Sequence, residues 1–356
     1  MAESTDSTAT VASEATTASE TGAASGPTTT ATTSTGDAPT TAGPTVTSLP
    51  EPTGTGPDET STSTGPIDTG PPDSTGTAGE TMGEPVDPVA AVCERWAADR
   101  TDMSEGTWSG AVAGCMAGDT GAPGRDNALR LVNLYRWLAG LPPVGHDAAL
   151  NAKAQQCALM MHAEGALSHD PDMMWACYTA DGAQAAMNSN ISSTPGVVAV
   201  DLYMVDPGNA TTFGHRRWIL SSALGPIGLG STSVNSCMWV IGGQGGGGAE
   251  WTAWPPPGVV PLAAIHVPEV PWANVDETGW TIQSNDIDVG AAQVTIRENG
   301  VDKPVKLTTL QGGFGSNSAI AMTPQGWVSE AGKTYTVQVN GVPQPFSYDV
   351  QVVACP

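Results

Sequence analysis

Two histidines carry most of the chemistry this chain could do. It has only five, and His169 in "LSHD" (167–170) and His215 in "GHRRWIL" (214–220) each stand at the edge of an expected helix. Between them lie a polar turn, "MNSNIS" (187–192), and a helix opening at Thr194-Pro195. A histidine, a polar loop, an amphipathic helix and a second histidine can close into one small polar cavity. Two imidazoles there would suit a divalent metal, but a catalytic metal site needs a third protein ligand and an open position. The nearby acids are Asp170, Asp201 and Asp206. No H-E-x-x-H occurs, because His162 and His169 are wrongly spaced and Gly165 breaks the helix between them. Ser168, His169 and Asp170 are adjacent, and adjacent side chains cannot face one another as a triad must; no G-x-S-x-G elbow exists either. A Cys–His protease needs a free thiol, and the six cysteines are better used as pairs. Asn190 and Asn209 open sequons that would matter only in a eukaryotic secretory route.

Helices must position these residues. From 126 to 140, Leu131, Leu134, Tyr135 and Leu138 recur at i, i+3, i+4 and i+7; Gly140 and Pro142-Pro143 end the element. Asp147 caps a second helix running to Glu164, with Leu150, Ala154, Cys157, Ala158 and Met161 on its apolar line. Thr194 caps a third, with Pro195 in its first position and Val197, Val200, Met204 and Val205 inward. A fourth begins at Gly214. Ahead of them, residues 89–124 read as a helical hairpin. Then the period changes. "IGLG" (227–230), "CMWVIGG" (237–243) and "AEWTAW" (249–254) read as strands, the last two forming a hairpin across the glycine run. That run lacks the Lys-Ser/Thr and helix of a phosphate loop. "WPPPG" (254–258) marks a boundary, and residues 259–356 show only short alternating strands with turns such as Asn299-Gly300 and Asn340-Gly341, as in an Ig-like β-sandwich.

Composition sets the surroundings. Residues 1–88 are Thr, Ser, Gly, Pro and Ala with scattered acids, and the first basic residue is Arg95. Such a segment buries too little apolar area to offset its ordering entropy, so a disordered tail acting as a stalk is expected. A net charge of −24 with 12 Lys and Arg excludes nucleic acid as a partner, and no apolar run is long enough to span a membrane. An even cysteine count in a low-lysine chain suggests disulfides and an oxidising compartment. Fifteen pairings are open, and chain order favours Cys93–Cys115, Cys157–Cys177 and Cys237–Cys355. The opening "MAESTDSTAT" is no signal peptide, so an export or lipid-anchor signal is expected upstream of the given start, with an extracellular or cell-surface destination.

Taken in order, "NLYRWLAGLPPVGHDAAL", "LSHD", "NSNIS", "GHRRWIL" and "IGLG" resemble the CAP superfamily, the family of cysteine-rich secretory proteins, venom antigens and plant pathogenesis-related proteins, and its bacterial branch in particular. The resemblance covers about residues 125–254. It implies an α-β-α sandwich, here followed by the all-β Ig-like sandwich, and a cavity lined by two histidines and two acids that binds zinc in some members. The matching histidines are His169 and His215. The family's Glu falls on Ser189, beside Asn190, and Asp201 is the nearest candidate for the second acid. The family has no agreed reaction; its members are linked to lipid binding, channel block and cell-wall or host interaction. The sequence therefore points to an exported surface protein that binds a lipid, cell-wall or protein ligand through a cavity of His169, Ser189, Asn190, Asp201, His215 and Arg216, with no cofactor beyond a zinc ion held by the two histidines. The rivals are a metal-dependent hydrolase and a structural adhesin working through the sandwich.

Overall fold

The computed structural model describes residues 87–243 and 245–356, so the expected stalk lies outside the described residues except for its last two. Those two open a helix. Asp87 caps α1 (Pro88–Asp99), its carboxylate accepting from Val89 N at 3.0 Å, and Pro88 takes the first turn, where a missing N–H costs nothing. The rest of the expected hairpin does not form. Residues 106–118 carry a glycine at every fourth position, each costing a helix about 1 kcal/mol, and the chain instead makes a tight turn bridged by Ala111 and Met116.

Next come α2 (Gly121–Leu138), α3 (Ala148–Glu164), α4 (Ala180–Asn188), β1 (Ser189–Ser192), α5 (Gly196–Val205), α6 (Gly214–Ile219), β2 (Gly228–Ser231) and β3 (Ser236–Trp239). The apolar stripe of α2 is buried throughout. Asp147 caps α3 by accepting from Leu150 N at 2.9 Å, and Gly165 closes it in the left-handed region. The cap of α5 differs from expectation. Pro195 precedes the helix, and the Glu105 carboxylate, reaching in from the loop between α1 and α2, accepts from Val197 N and Val198 N at 2.7 and 2.8 Å.

The first sheet is antiparallel with order β1-β3-β2. Side chains of β3 alternate: Cys237 and Trp239 join the core under α3 and α4, whereas Met238 joins that of α2 and α5. Helices thus cover both faces. Gly228 and Gly230 let α3 lie flush on β2, because a Cβ at Gly230 would fall 2.1 Å from the carbonyl carbon of Ala154.

The expected hairpin after β3 is absent. Both neighbours of β3 are already supplied by β1 and β2, so β4 (Trp251–Trp254) pairs elsewhere. The remaining strands are β5 (Gly258–Pro261), β6 (Trp280–Ser284), β7 (Gln293–Glu298), β8 (Val301–Lys303), β9 (Val305–Thr309), β10 (Ser318–Pro324), β11 (Thr334–Asn340) and β12 (Phe346–Val353), with the short helix α7 (Val275–Thr278) before β6. One sheet has order β4-β6-β10-β9, the other β5-β12-β11-β7-β8; every pair is antiparallel except β5 with β12. Asn299 and Gly300 turn β7 into β8 with φ of 50° and 79°, positive at both positions as a type I′ turn requires. Ile282 and Ile320 from one sheet meet Val337 and Val350 from the other, in a cluster that also holds Leu134 of α2 and Val200 of α5. "WPPPG" is therefore not a break between cores. No helix among the described residues is long and apolar enough to cross a membrane.

Three disulfides form, none between chain neighbours: Cys93–Cys355, Cys115–Cys177 and Cys157–Cys237. Tertiary packing decides each. Cys157 lies on the face of α3 that covers the sheet, so its partner is Cys237 of β3, and α1 packs beside β5, whose neighbour β12 leads to Cys355. In the chain-entropy model, closing 80 residues between Cys157 and Cys237 stabilises by about 4.5 kcal/mol.

Candidate functional site

A cleft of about 300 Å³ opens at the free edge of β1. His169 reaches it from the loop between α3 and α4, and His215 from the first turn of α6. Ser189 and Asn190 of β1 form its floor, and Asn209, Thr212, Trp218 and Phe314 complete most of the wall.

Each imidazole is held by its inner nitrogen. His169 Nδ1 donates to Ala186 O at 2.8 Å, on the last turns of α4. His215 Nδ1 donates at 2.9 Å to Asp206 Oδ1, a fully buried carboxylate oxygen. The Asn209 amide also lies 3.0 Å from that ring nitrogen, but a donating nitrogen has no lone pair to offer, and its proton goes to Asp206 Oδ1 at 2.6 Å. Both rings thus carry their proton on Nδ1, and Nε2 makes no hydrogen bond among the described residues. Asp206 itself caps α5 in the left-handed region, and its second oxygen accepts from Arg216 N at 3.2 Å. Ser189 is 4% exposed and its hydroxyl has no partner among the described residues. Asn190 Nδ2 donates to His215 O at 3.0 Å and so fixes α6 against the sheet.

Two expected members of the site are elsewhere. Asp201 is buried on the far side of α5, where it accepts from Arg100 at 2.8 and 2.9 Å and from the Tyr135 hydroxyl at 2.5 Å. Burial pushes its carboxyl above the usual range while those three donors pull the other way. Arg216 is also buried. It donates to Met204 O and Val205 O at the end of α5 and to Gly279 O ahead of β6. Burial lowers its pKa to about 10, which leaves it charged at neutral pH and engaged in joining elements.

Zinc does not fit these residues. Both histidines are present, but Asp206 is spent on His215 Nδ1, Asp201 is remote, and Ser189 stands at the Glu position. Among the described residues no group of three or more His, Cys, Asp or Glu could hold a metal. Sequence reasoning named Asp206 only as a metal ligand and missed Asn209, Trp218 and Phe314. The ring of Phe314 has no sequence signal, since it lies far along the chain in the loop between β9 and β10.

No curated protein and no solved structure matches the chain. A family model described as CAP, the cysteine-rich secretory protein family, matches residues 129–240. That span carries His169, His215, Asp206 and the whole first sheet, with the helices that cover it. Residues 129–240 of this chain are a CAP domain.

Proposed function

We propose that this is an exported cell-surface protein whose CAP domain binds a ligand through the cleft of His169 and His215 and catalyses no reaction. The observation that carries the reading is the buried Ser189 hydroxyl, which lines the cleft between the solvent-accessible rings of His169 and His215 and has no partner among the described residues. Buried polar groups are paired in folded proteins, so groups left open in a pocket await a ligand. Three disulfides support an oxidising, extracellular setting. An Ig-like reading of the two-sheet module is supported by its strand order, which follows the two sheets of that fold when β4 to β12 are taken in turn. Tyr335 adds to it: near the start of β11 its hydroxyl accepts from Glu330 N at 3.1 Å and donates to Val328 O at 3.4 Å, as a tyrosine corner does.

The test is retention of the purified protein on envelopes isolated from the producing cell. Ser189→Phe fills the cleft and is expected to abolish retention while circular dichroism stays native. Equal retention of both proteins would sink the reading.

One observation favours a second reading. The Asp206–His215 pair is a carboxylate-oriented imidazole whose outer nitrogen faces a cleft, the arrangement of a general base. It would serve a hydrolase that uses no metal. Release of soluble fragments from the same envelopes, lost in His215→Ala, would favour it.

A further inference from the structure

We infer that the cleft is a composite site for a neutral saccharide, with one wall supplied by the β-module through Phe314. The inference rests on the reading of the cleft as a ligand site.

The wall is built rather than incidental. Phe314 is half-buried and lines the same cleft as Trp218 and His215. Its loop is clamped by Arg217, a buried residue of α6, which donates to Gln311 O at 2.6 Å and to Ser316 O and Oγ at 3.1 and 2.8 Å. Gln311 N donates in turn to Thr211 O at 3.0 Å. At Gly214 a Cβ would lie 3.0 Å from Phe314 Cδ1, so the glycine preceding His215 leaves the room that the ring takes.

Charge and polarity then select the ligand. Among the described residues no Lys, Arg, Asp or Glu lines the cleft, and the guanidiniums of Arg216 and Arg217, which follow His215 in the chain, are spent on carbonyl and hydroxyl oxygens. An anion finds no counter-charge there, in a chain of net charge −24, and a cation finds no carboxylate. In the tautomer that carries its proton on Nδ1, Nε2 is an acceptor, so the two rings call for hydroxyl or amide donors. A sterol has a single hydroxyl and the hydrocarbon of an acyl chain has none, so either would leave most of these groups unpaired. A sugar ring offers hydroxyl donors at its edge and an apolar C–H face to Phe314 and Trp218. A volume of about 300 Å³ sits at the small end of ligand pockets.

The experiment is calorimetric titration of the full-length, oxidised protein with a panel of neutral gluco-, manno- and N-acetylglucosamine trisaccharides at millimolar concentrations, with dodecanoate and cholesterol-containing phosphatidylcholine vesicles as the apolar probes. At least one trisaccharide is expected to bind. Phe314→Ala should weaken it about ten-fold, one aromatic contact's worth, and Phe314→Trp should restore it. Binding indifferent to Phe314→Ala overturns the composite wall. Binding of an apolar probe alone, or of no probe while envelope retention still depends on Ser189, overturns the saccharide and leaves the binding reading standing. Failure of both titration and retention removes both.

Discussion

The sharpest claim about the cleft is the tautomer of His215, and Asp206→Asn tests it. In the wild type a fully buried carboxylate oxygen accepts from the ring at 2.9 Å and from Asn209 at 2.6 Å, and the second oxygen accepts from Arg216 N at 3.2 Å. An asparagine there has one carbonyl oxygen, so it can satisfy only one side of this arrangement, and its NH₂ must face a donor on the other. Losing one or two charge-assisted hydrogen bonds in a buried place costs about 3 kcal/mol. For a domain of this size that shifts the urea midpoint by about 1 M. The ring responds as well: facing an NH₂, Nδ1 becomes the acceptor and the proton moves to Nε2, turning the cleft-facing nitrogen from acceptor to donor. Long-range ¹H–¹⁵N correlation spectra read the tautomer directly, with His215→Gln identifying the signals. The wild type should show a protonated Nδ1 and the variant a protonated Nε2. A wild-type ring protonated on Nε2, or a variant that keeps both its tautomer and its urea midpoint, would refute the reasoning.

Further outcomes follow from the packing. A chain ending at Pro257 removes Gly279, an acceptor of Arg216, and uncovers Trp254, so it should give poorly dispersed amide spectra; a native-like spectrum would mean the two halves do not share a core. Gly230→Ala should destabilise by about 3 kcal/mol because backbone of α3 must retreat, while Gly145→Ala, with nothing within 4 Å, should stay within about 0.5 kcal/mol of wild type in the same urea titration. Burial alone would raise the Asp276 carboxyl, yet donors from His266, Ser329 and Trp280 hold it below its ordinary value. Its stabilising contribution is therefore complete above the unfolded value of about 3.9 and lost as pH falls through the folded one; Asp276→Asn should flatten that acid limb of the stability curve, and an unchanged limb would contradict it. Calorimetry with zinc should show no site near micromolar affinity, worth about 8 kcal/mol; such a site, lost in His169→Ala and His215→Ala, would restore the metal reading.

What was legible in the sequence was local. The stripe of Leu131, Leu134, Tyr135 and Leu138, the Asp147 cap and the Gly165 stop each act within a few residues; α3 forms where they say, and α2 holds the stripe but opens five residues earlier than expected, at Gly121. The glycine repeat at 106–118 is also local, and it outweighs the spacing of Cys93 and Cys115 that suggests a hairpin. Disulfide pairing could not be read, because it depends on which face of α3 meets which strand. The choice of acid failed for a rotational reason. Asp201 and Asp206 are five residues apart, which on a helix separates their directions by about 140°. Asp201 therefore faces Tyr135 and Arg100 while Asp206, in the left-handed region at the helix end, directs its carboxylate to the His215 ring.

The run His215-Arg216-Arg217 shows why the cleft cannot be understood from the CAP domain alone. Successive side chains on a helix diverge by about 100°, so one turn of α6 sends three groups in three directions. His215 faces the cleft. Arg216 gathers the end of α5 and the residue before β6, and Arg217 grips the loop that carries Phe314. The same turn that presents the imidazole therefore fixes both the carboxylate-bearing end of α5 and the opposite wall. A change in the β9–β10 loop reaches the cleft through Phe314, and a change before β6 reaches it through Arg216 and the position of Asp206. The β-module is accordingly part of the geometry of the cleft, whose shape can change through residues of that module with His169 and His215 untouched.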